Sequence, residues 1–456
     1  MRKNSKPGPR GNLGAALTAR PLLRAWLAAA ALLPLAAAFY GHYAQFRVPD
    51  DIWFLDEAEA FYHGLPILAG LDSMPLTGYY YSLLAHNLPA GWPALFLAFA
   101  VCSALTVSFA AGAVLGGRRC GALSAAAAAL VFLSITSMAN WGRYFETAVF
   151  TLLTALAAAA LLYYRDGGRT RDAVLLGLLS GCSLLCRSTF FLFPVFILAA
   201  LWLWRGRLKI TWGAAAAIAL LPYAMLAPWW LTRAYTGQEF SLFEAFRAKA
   251  NIITGLLGYI HTIDGSYNEA LKLAGLNGSE NLWAWGARRL AADPWGLAAA
   301  VPLRLWEVLT YNPLLSAAAA ASLFLAAMDQ KAKLLAAFLF YLLAVHLPMP
   351  VEPRYFVPGL PLLAALIARA AALRLDPGGA ARAGSPAAKA AVYFLAAVAL
   401  CGTASLYAHL PPYARSIRSD DEPAALLRET AAHPGEPWLL EKAEWARRLN
   451  GNALVK

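Results

Sequence analysis

Long apolar runs alternate with short polar connectors along most of the chain. Runs of roughly 18 or more residues are long enough to cross a hydrocarbon layer as helices. They cover Ala25 to Phe46, Pro89 to Leu115, Gly121 to Ala139, Thr147 to Tyr164, Thr211 to Leu231 and Ala390 to His409, and shorter apolar runs read as spans cover Pro313 to Met328, Leu334 to Leu347 and the stretch leading to Arg369 and Arg374. Ala and Leu dominate, and apolar and polar positions do not alternate, so the pattern excludes barrel strands. It predicts an all-α, polytopic membrane protein of about 11 transmembrane helices with external juxtamembrane helices. Ala36 to Ala38 offer a signal-cleavage site, but the first run exceeds a usual signal core and many spans follow it.

Asp172 to Trp204 carries the most information. Arg169 and Arg171 precede it and Arg205, Arg207 and Lys209 follow, so it must cross an even number of times, yet two full crossings need about 20 residues each. The arithmetic predicts two short helices meeting near Cys186, Arg187, Ser188 and Thr189, with Arg187 held below the surface against protein or a wet cavity. A second departure is the long polar segment from Thr232 to about Glu307. There Asp293 before Pro294 reads as a helix cap, and Leu297, Val301, Leu305 and Leu309 line one face of a helix lying on the membrane.

The expected organisation is a basic tail over 1–20, a membrane module over 21–231 whose first external loop is 47–88, an external loop over 232–310, membrane helices over 311–409, and an external tail over 410–456.

Charge fixes the expected orientation. The chain of 456 residues is 60% hydrophobic and 14% charged, with a net charge of +12. In a soluble protein that excess would suggest nucleic acid, but here the cations sit beside the apolar runs and report topology. Arg2, Lys3, Lys6, Arg10, Arg20 and Arg24 place the N-terminus in the cytoplasm, whereas the short external loops hold only Arg47, Arg143 and Arg354. Of the acids, only Asp166, Asp172, Asp329 and Asp376 fall inside, so the polar chemistry is expected on the outer face of a plasma or inner membrane. Cys102, Cys120, Cys182, Cys186 and Cys401 are odd in number and show neither a disulfide framework nor metal-ligand pairs. His42, His63, His86 and His346 share no metal-ligand spacing and read as structural. Asn277, Gly278 and Ser279 form a glycosylation sequon, meaningful only in a eukaryotic secretory membrane.

The densest polar cluster is PDDIWFLDEAEAFYHGLPILAG, Pro49 to Gly70, with Asp50, Asp51, Asp56, Glu57 and Glu59. Asp56 with Glu59 also forms a capping box that Gly64 would close, Glu57 suits a helix first turn, and Asp50 and Asp51 suit a solvated turn. The external groups that could converge are Asp50, Asp51, Asp56, Glu57 and His63 from the first loop, Arg143 and Glu146, Arg187, and Glu352, Arg354 and Tyr355. Arg143 and Glu146 could instead pair with each other, and Glu352 with Arg354 could form an interfacial anchor. A carboxylate beside several arginines suits a reaction in which a hydroxyl loses its proton while a lipid-linked phosphate departs.

These motifs resemble integral-membrane glycosyltransferases of the GT-C fold, in particular the bacterial branch similar to protein O-mannosyltransferases and the lipid A aminoarabinose transferase. LDEAEAFYHGLPILAG resembles the first-loop acidic pair, MPLTGYYYSLL the Tyr-rich segment after it, NWGRYFE the second external loop, GLLSGCSLLCRSTFFLFP a Gly-rich double helix with a central cation, and EPRYFVPGLP an Arg-Tyr-Pro turn. The resemblance implies transfer of a sugar from a polyprenyl-phosphate donor to a lipid, glycan or protein hydroxyl. Asp56 would be the base with Glu57 beside it, and Arg143, Glu146, Arg187, Glu352, Arg354 and Tyr355 would hold phosphate and substrate. No Lys or Arg lies between Arg47 and Arg118, so a first-loop phosphate cation of some relatives is missing and His86 is a poor substitute. Relatives differ on a divalent metal, for which Asp50 and Asp51 could serve. The alternative function is a transporter or flippase for a lipid-linked glycan, which calls for an inverted repeat and polar groups continuing to the cytoplasmic side. The span pattern shows neither. A surface-polysaccharide polymerase or ligase would share the donor class.

Overall fold

The computed structural model describes residues 74–88, 92–132, 145–206, 208–235, 246–262, 267–276, 281–325, 328–375 and 385–418. Among them are fourteen α-helices and three 3₁₀ turns, and no strand ladder. In chain order the helices are α1 (Pro75–Asn87), α2 (Trp92–Phe132), α3 (Phe145–Gly167), α4 (Thr170–Cys186), α5 (Phe193–Leu203), α6 (Trp212–Tyr235), α7 (Phe246–Leu256), α8 (Tyr267–Ala274), α9 (Leu282–Ala292), α10 (Pro294–Tyr311), α11 (Pro313–Leu325), α12 (Gln330–Ala344), α13 (Leu360–Leu375) and α14 (Pro386–Arg418). Five segments are long and apolar enough to cross a membrane, so the chain is a multi-pass membrane protein. The described residues do not establish a count of eleven, and the span expected from Ala25 to Phe46 lies outside them.

The bundle is built around α3, which is buried along almost its whole length. Its run of Ala155 and Ala157 to Ala160, all essentially without solvent exposure, presents small side chains, which lets neighbouring helices approach closely where lipid supplies no hydrophobic drive between them. The α2 hairpin, α4, α12 and α13 surround it.

Helix α2 is two antiparallel limbs joined at Gly116 and Gly117. Gly117, at φ 79°, makes the left-handed turn that a side chain would oppose. Ser108 and Ser124 share a 2.7 Å hydrogen bond across the limbs. Two cations hold the turn: Arg369 Nη1 donates to the Leu115 carbonyl at 2.5 Å and Lys331 Nζ to the Val114 carbonyl at 3.2 Å, satisfying acceptors that the helix end leaves open.

Helices α4 and α5 are the expected short pair. Their 17 and 11 residues, about 25 and 16 Å of rise, meet at Arg187 and the 3₁₀ turn Ser188–Phe190. Gly177 and Gly181 on α4 form a small-residue face against α6, where a Cβ at Gly181 would lie 2.6 Å from the Met225 sulfur and one at Gly177 would overlap the Ala217 carbonyl.

Helices α7 to α10 form the long connector. Asn281 caps α9 through Ala284 N at 3.0 Å and Asp293 caps α10 through Gly296 N at 2.8 Å, as its position before Pro294 anticipated. On α10 the residues of the expected apolar face are open to varying degrees, with Leu297, Val301 and Leu305 half-buried and Leu309 exposed, while the most deeply buried positions are Ala300 and Arg304. Trp295, Leu303 and Trp306 remain exposed. Arg304 has no solvent exposure because its guanidinium donates to the carbonyls of Tyr259 at 2.7 and 2.9 Å, Gly255 at 2.9 Å and Leu347 at 3.0 Å. Val351 N also donates to the Ile260 carbonyl at 2.8 Å. The connector is thereby bound to the non-helical segment 345–359 between α12 and α13. At the C-terminal side α14 extends past the expected end at His409 to Arg418, and 419–456 lie outside the described residues.

Arg304→Met keeps an aliphatic stem but removes the guanidinium's hydrogen bonds to the Tyr259, Leu347 and Gly255 carbonyls, the last of which keeps Gly258 N as a donor; bonds to a charged group contribute roughly 1.5 to 3 kcal/mol each. Limited proteolysis is expected to cut the 246–311 connector of this variant well before the bundle, whereas wild type is cut at neither.

Candidate active site

At one end of the bundle the starts and stops of several helices come together. Glu146 is in the first turn of α3 and Arg187 is the residue that caps the C-terminus of α4. An anion at a helix N-terminus and a cation at a helix C-terminus both oppose the helix dipoles, so each charge is favoured before the two meet. They do meet: Arg187 Nε donates to Glu146 Oε1 at 2.6 Å, with both side chains about 95% buried, at 5% and 4% exposure. The extended backbone at Arg187 (φ −148°, ψ 129°) lets α4 stop there while its N–H still bonds to the Ser183 carbonyl at 2.8 Å.

Aromatic rings enclose the guanidinium, whose carbon lies 5.0 Å from the Tyr355 ring centre and 5.5 Å from that of Phe150. Tyr355 ends the 3₁₀ turn Pro353–Tyr355, and its hydroxyl donates to Glu352 Oε1 at 3.2 Å. Glu352 also accepts from the Thr262 hydroxyl and forms an ion pair with Arg354. That pair is largely buried rather than an exposed interfacial anchor, at 15% and 20% side-chain exposure.

His346 stacks on Tyr355 with ring centres 4.8 Å apart and planes 13° from parallel. It is 2% exposed, and neither ring nitrogen has a hydrogen-bond partner. Arg187 retains a further orphan, Nη1, which is buried without a partner.

The structure therefore brings together Glu146, Arg187, Glu352, Arg354 and Tyr355 out of the sequence candidates. Asp50, Asp51, Asp56, Glu57 and Arg143 lie outside the described residues, and of His86 only the helical backbone is described. Arg187 is a described partner of Glu146 from 41 residues away, a pairing that local spacing could not show. From the sequence His346 reads as structural, and neither Arg304 nor Thr262 stands out. A lone histidine carries no spacing signal, and only the fold sets it against Tyr355. No group of three or more His, Cys, Asp or Glu among the described residues is arranged to hold a metal ion.

No family model matches the chain, and no curated protein matches it. Among solved structures it is similar to ArnT from Cupriavidus metallidurans bound to undecaprenyl phosphate, at 15% identity and a TM-score of 0.47, over 86% of this chain and 75% of that one. It is also similar to the Archaeoglobus fulgidus oligosaccharyltransferase in complex with Zn and sulfate, at 13% identity and a TM-score of 0.46, over 91% of this chain and 56% of that one. For the archaeal oligosaccharyltransferase AglB from Archaeoglobus fulgidus, in complex with an inhibitory peptide and a dolichol-phosphate, identity is 13%, the TM-score 0.44, and the coverage 91% and 59%.

Breaking the buried ion pair from one side should cost about 3 to 5 kcal/mol, because the surviving charge is stranded. Glu146→Ala is expected to lower the free energy of detergent-induced unfolding by that order, and Glu146→Ala with Arg187→Met by clearly less than the sum of the two singles.

Proposed function

We propose that the chain is a glycosyltransferase that moves a sugar from a polyprenyl-phosphate donor to a hydroxyl acceptor at the non-cytoplasmic face of the membrane. The observation that carries this reading is the buried Arg187 guanidinium, which uses Nε to neutralise Glu146 and keeps Nη1 without a partner. A cation already balanced by a carboxylate can be kept below the surface at tolerable cost, and its remaining donor is suited to an anionic oxygen. A phosphate leaving group supplies such an oxygen and gains charge as the glycosidic bond breaks, which is when a preorganised donor stabilises it most.

Two further features support the reading. An apolar cavity of about 380 Å³ is lined by Tyr311, Leu315, Phe340, Leu343, Phe356 and Leu360, and Pro353 and Phe356 in its wall flank Arg354 and Tyr355. It suits a hydrocarbon tail whose phosphate lies at the cluster. At the opposite end of the bundle the charges are spent on structure: Lys331 pairs with Asp166, Lys389 with Asp172 at 3.2 Å, and Arg369 with Asp329 at 3.3 Å. A chemical site at one end fits this division better than a conduit through the bundle.

In the proposed reaction Asp56 takes the acceptor proton, Glu57 assists it, and Arg187 with Arg143 and Arg354 holds the phosphate. A divalent metal bound through Asp50 and Asp51 is compatible with the scheme. Localisation in a plasma or inner membrane with the N-terminus inside completes the reading.

Mass spectrometry of surface glycans and glycolipids from cells with and without the gene should show the loss of one sugar and identify the acceptor. With the substrates known, Arg187→Lys keeps the charge but loses the fork and is expected to slow transfer about 10- to 100-fold, one to two charge-assisted hydrogen bonds' worth. Asp56→Asn preserves helix capping yet cannot accept a proton, and should slow it by about 100-fold or more. Wild-type transfer by a normally accumulating Asp56→Asn protein would remove Asp56 from the scheme.

A further inference from the structure

We infer that His346 is a ligand-contacting residue whose imidazole N–H hydrogen-bonds the phosphate of the lipid-linked donor beside Arg187 Nη1; this rests on the function proposed above. The inference begins with an anomaly. Buried polar atoms in folded proteins nearly always find partners, and an exception calls for a cause such as a catalytic role or a ligand that completes the site. His346 offers two such atoms at once, in a ring that is 2% exposed.

Polar atoms without partners occur elsewhere in the bundle too, at Thr154, Tyr163, Tyr164 and Arg165 among others, but His346 has both ring nitrogens in that state and neighbours that share it. Arg187 Nη1 has no partner, nor do Thr147 Oγ1, next to Glu146, and Thr189 Oγ1, two residues after Arg187. His346 and Arg187 both lie against the Tyr355 ring, at 4.8 and 5.0 Å between centres. Donors without acceptors therefore gather where four distant parts of the chain meet. What they lack in common is oxygen atoms, and a phosphate ester carrying a hydroxylated sugar supplies both acceptor oxygens and hydroxyl donors.

A purely structural role accounts for less. Stacking on Tyr355 needs only a flat ring, and phenylalanine would provide it without burying two unsatisfied nitrogens; Phe356 already packs edge-on against the same histidine, 5.7 Å away. The neutral state also matters. An imidazolium beside Arg187 would add like charge, whereas a neutral ring donates from one nitrogen and accepts at the other. The orphan atoms are closed off from solvent, so the ligand must enter as the end of the bundle gives way. Segment 345–359 is the suited part, since it is made of turns and two short 3₁₀ helices rather than continuous helix.

The test uses the full chain in lipid nanodiscs, with a polyprenyl monophosphate and the corresponding uncharged polyprenol as probes. Wild type should bind the phosphate at least 10-fold more tightly than the alcohol. His346→Phe keeps the stack and should melt no lower than wild type without ligand. It should bind the phosphate about 10-fold more weakly and the alcohol equally well, and His346→Gln, which restores a donor and an acceptor, should recover part of the loss. Unchanged phosphate affinity in a folded His346→Phe protein overturns the inference and leaves the proposed function standing. If His346→Phe does not fold, the same reading is taken from His346→Leu against His346→Gln, where equal phosphate affinities overturn it. Failure of wild type to distinguish phosphate from alcohol overturns the donor assignment itself.

Discussion

The ion pair between Glu146 and Arg187 is the contact on which this end of the molecule depends. A guanidinium at the tip of two helices too short to cross a membrane could not stay there alone, since neither lipid nor packed side chains would solvate it. Glu146 makes the position tenable, and the opposed dipoles of α3 and α4 favour both charges from the backbone side. Because α3 is the central helix and α4 is locked to α6 through Gly177 and Gly181, the pair is held by the most rigid part of the bundle. The position of Arg187 is therefore set by packing along the full length of two helices, as a preorganised site requires.

The two ends of the bundle use their charges in different ways. Near the turn of α2, cations close helix ends and pair with acids, so that Arg369, Lys331 and Lys389 each have named carbonyl or carboxylate partners. Asp172, fully buried, accepts from Lys389 and from the Tyr393 hydroxyl. Those contacts fix topology. Around Arg187 the ion pair leaves Nη1 and the two His346 nitrogens over. Tyr163, Tyr164 and Arg165 at the other end also keep buried polar atoms without a partner, so what distinguishes the Arg187 group is its place beside a buried ion pair and two aromatic rings.

Much of the architecture was legible because membrane insertion imposes simple arithmetic. Some 32 residues between two basic clusters expected on the same side of the membrane cannot make two crossings of about 20 residues each, and this forced the short helices that meet at Arg187. Asp293 before Pro294 could be read as a cap because the signal is local. The candidate site was legible only as a set of rare charges. Its pairing was not, since Glu146 and Arg187 are 41 residues apart and Arg143 was the nearer partner on paper. Arg304 was hidden for another reason: it sits among leucines on α10, and its value depends on three carbonyls from other parts of the chain. His346 gave no signal at all, because its role follows from the ring it lies against.

Arg304 also explains how an irregular stretch can exist here. Non-helical backbone at or near membrane depth survives only where protein or water satisfies its polar groups. Segment 345–359 meets that condition through Arg304 on the Leu347 carbonyl, through Val351 on the Ile260 carbonyl, and through the Glu352 side chain, which gathers Thr262, Arg354 and Tyr355. Each of these links comes from the connector over α7 to α10 or from the segment itself. The bundle contributes the rigid cation and the connector the means to hold an irregular segment beside it. A continuous helix over 345–359 would need no such support, but it would place one side chain every 100° about a single axis. Turns allow His346, Glu352, Arg354 and Tyr355 to be directed to one place, and the cost of those turns is met by a connector that would otherwise have no structural reason to reach the bundle.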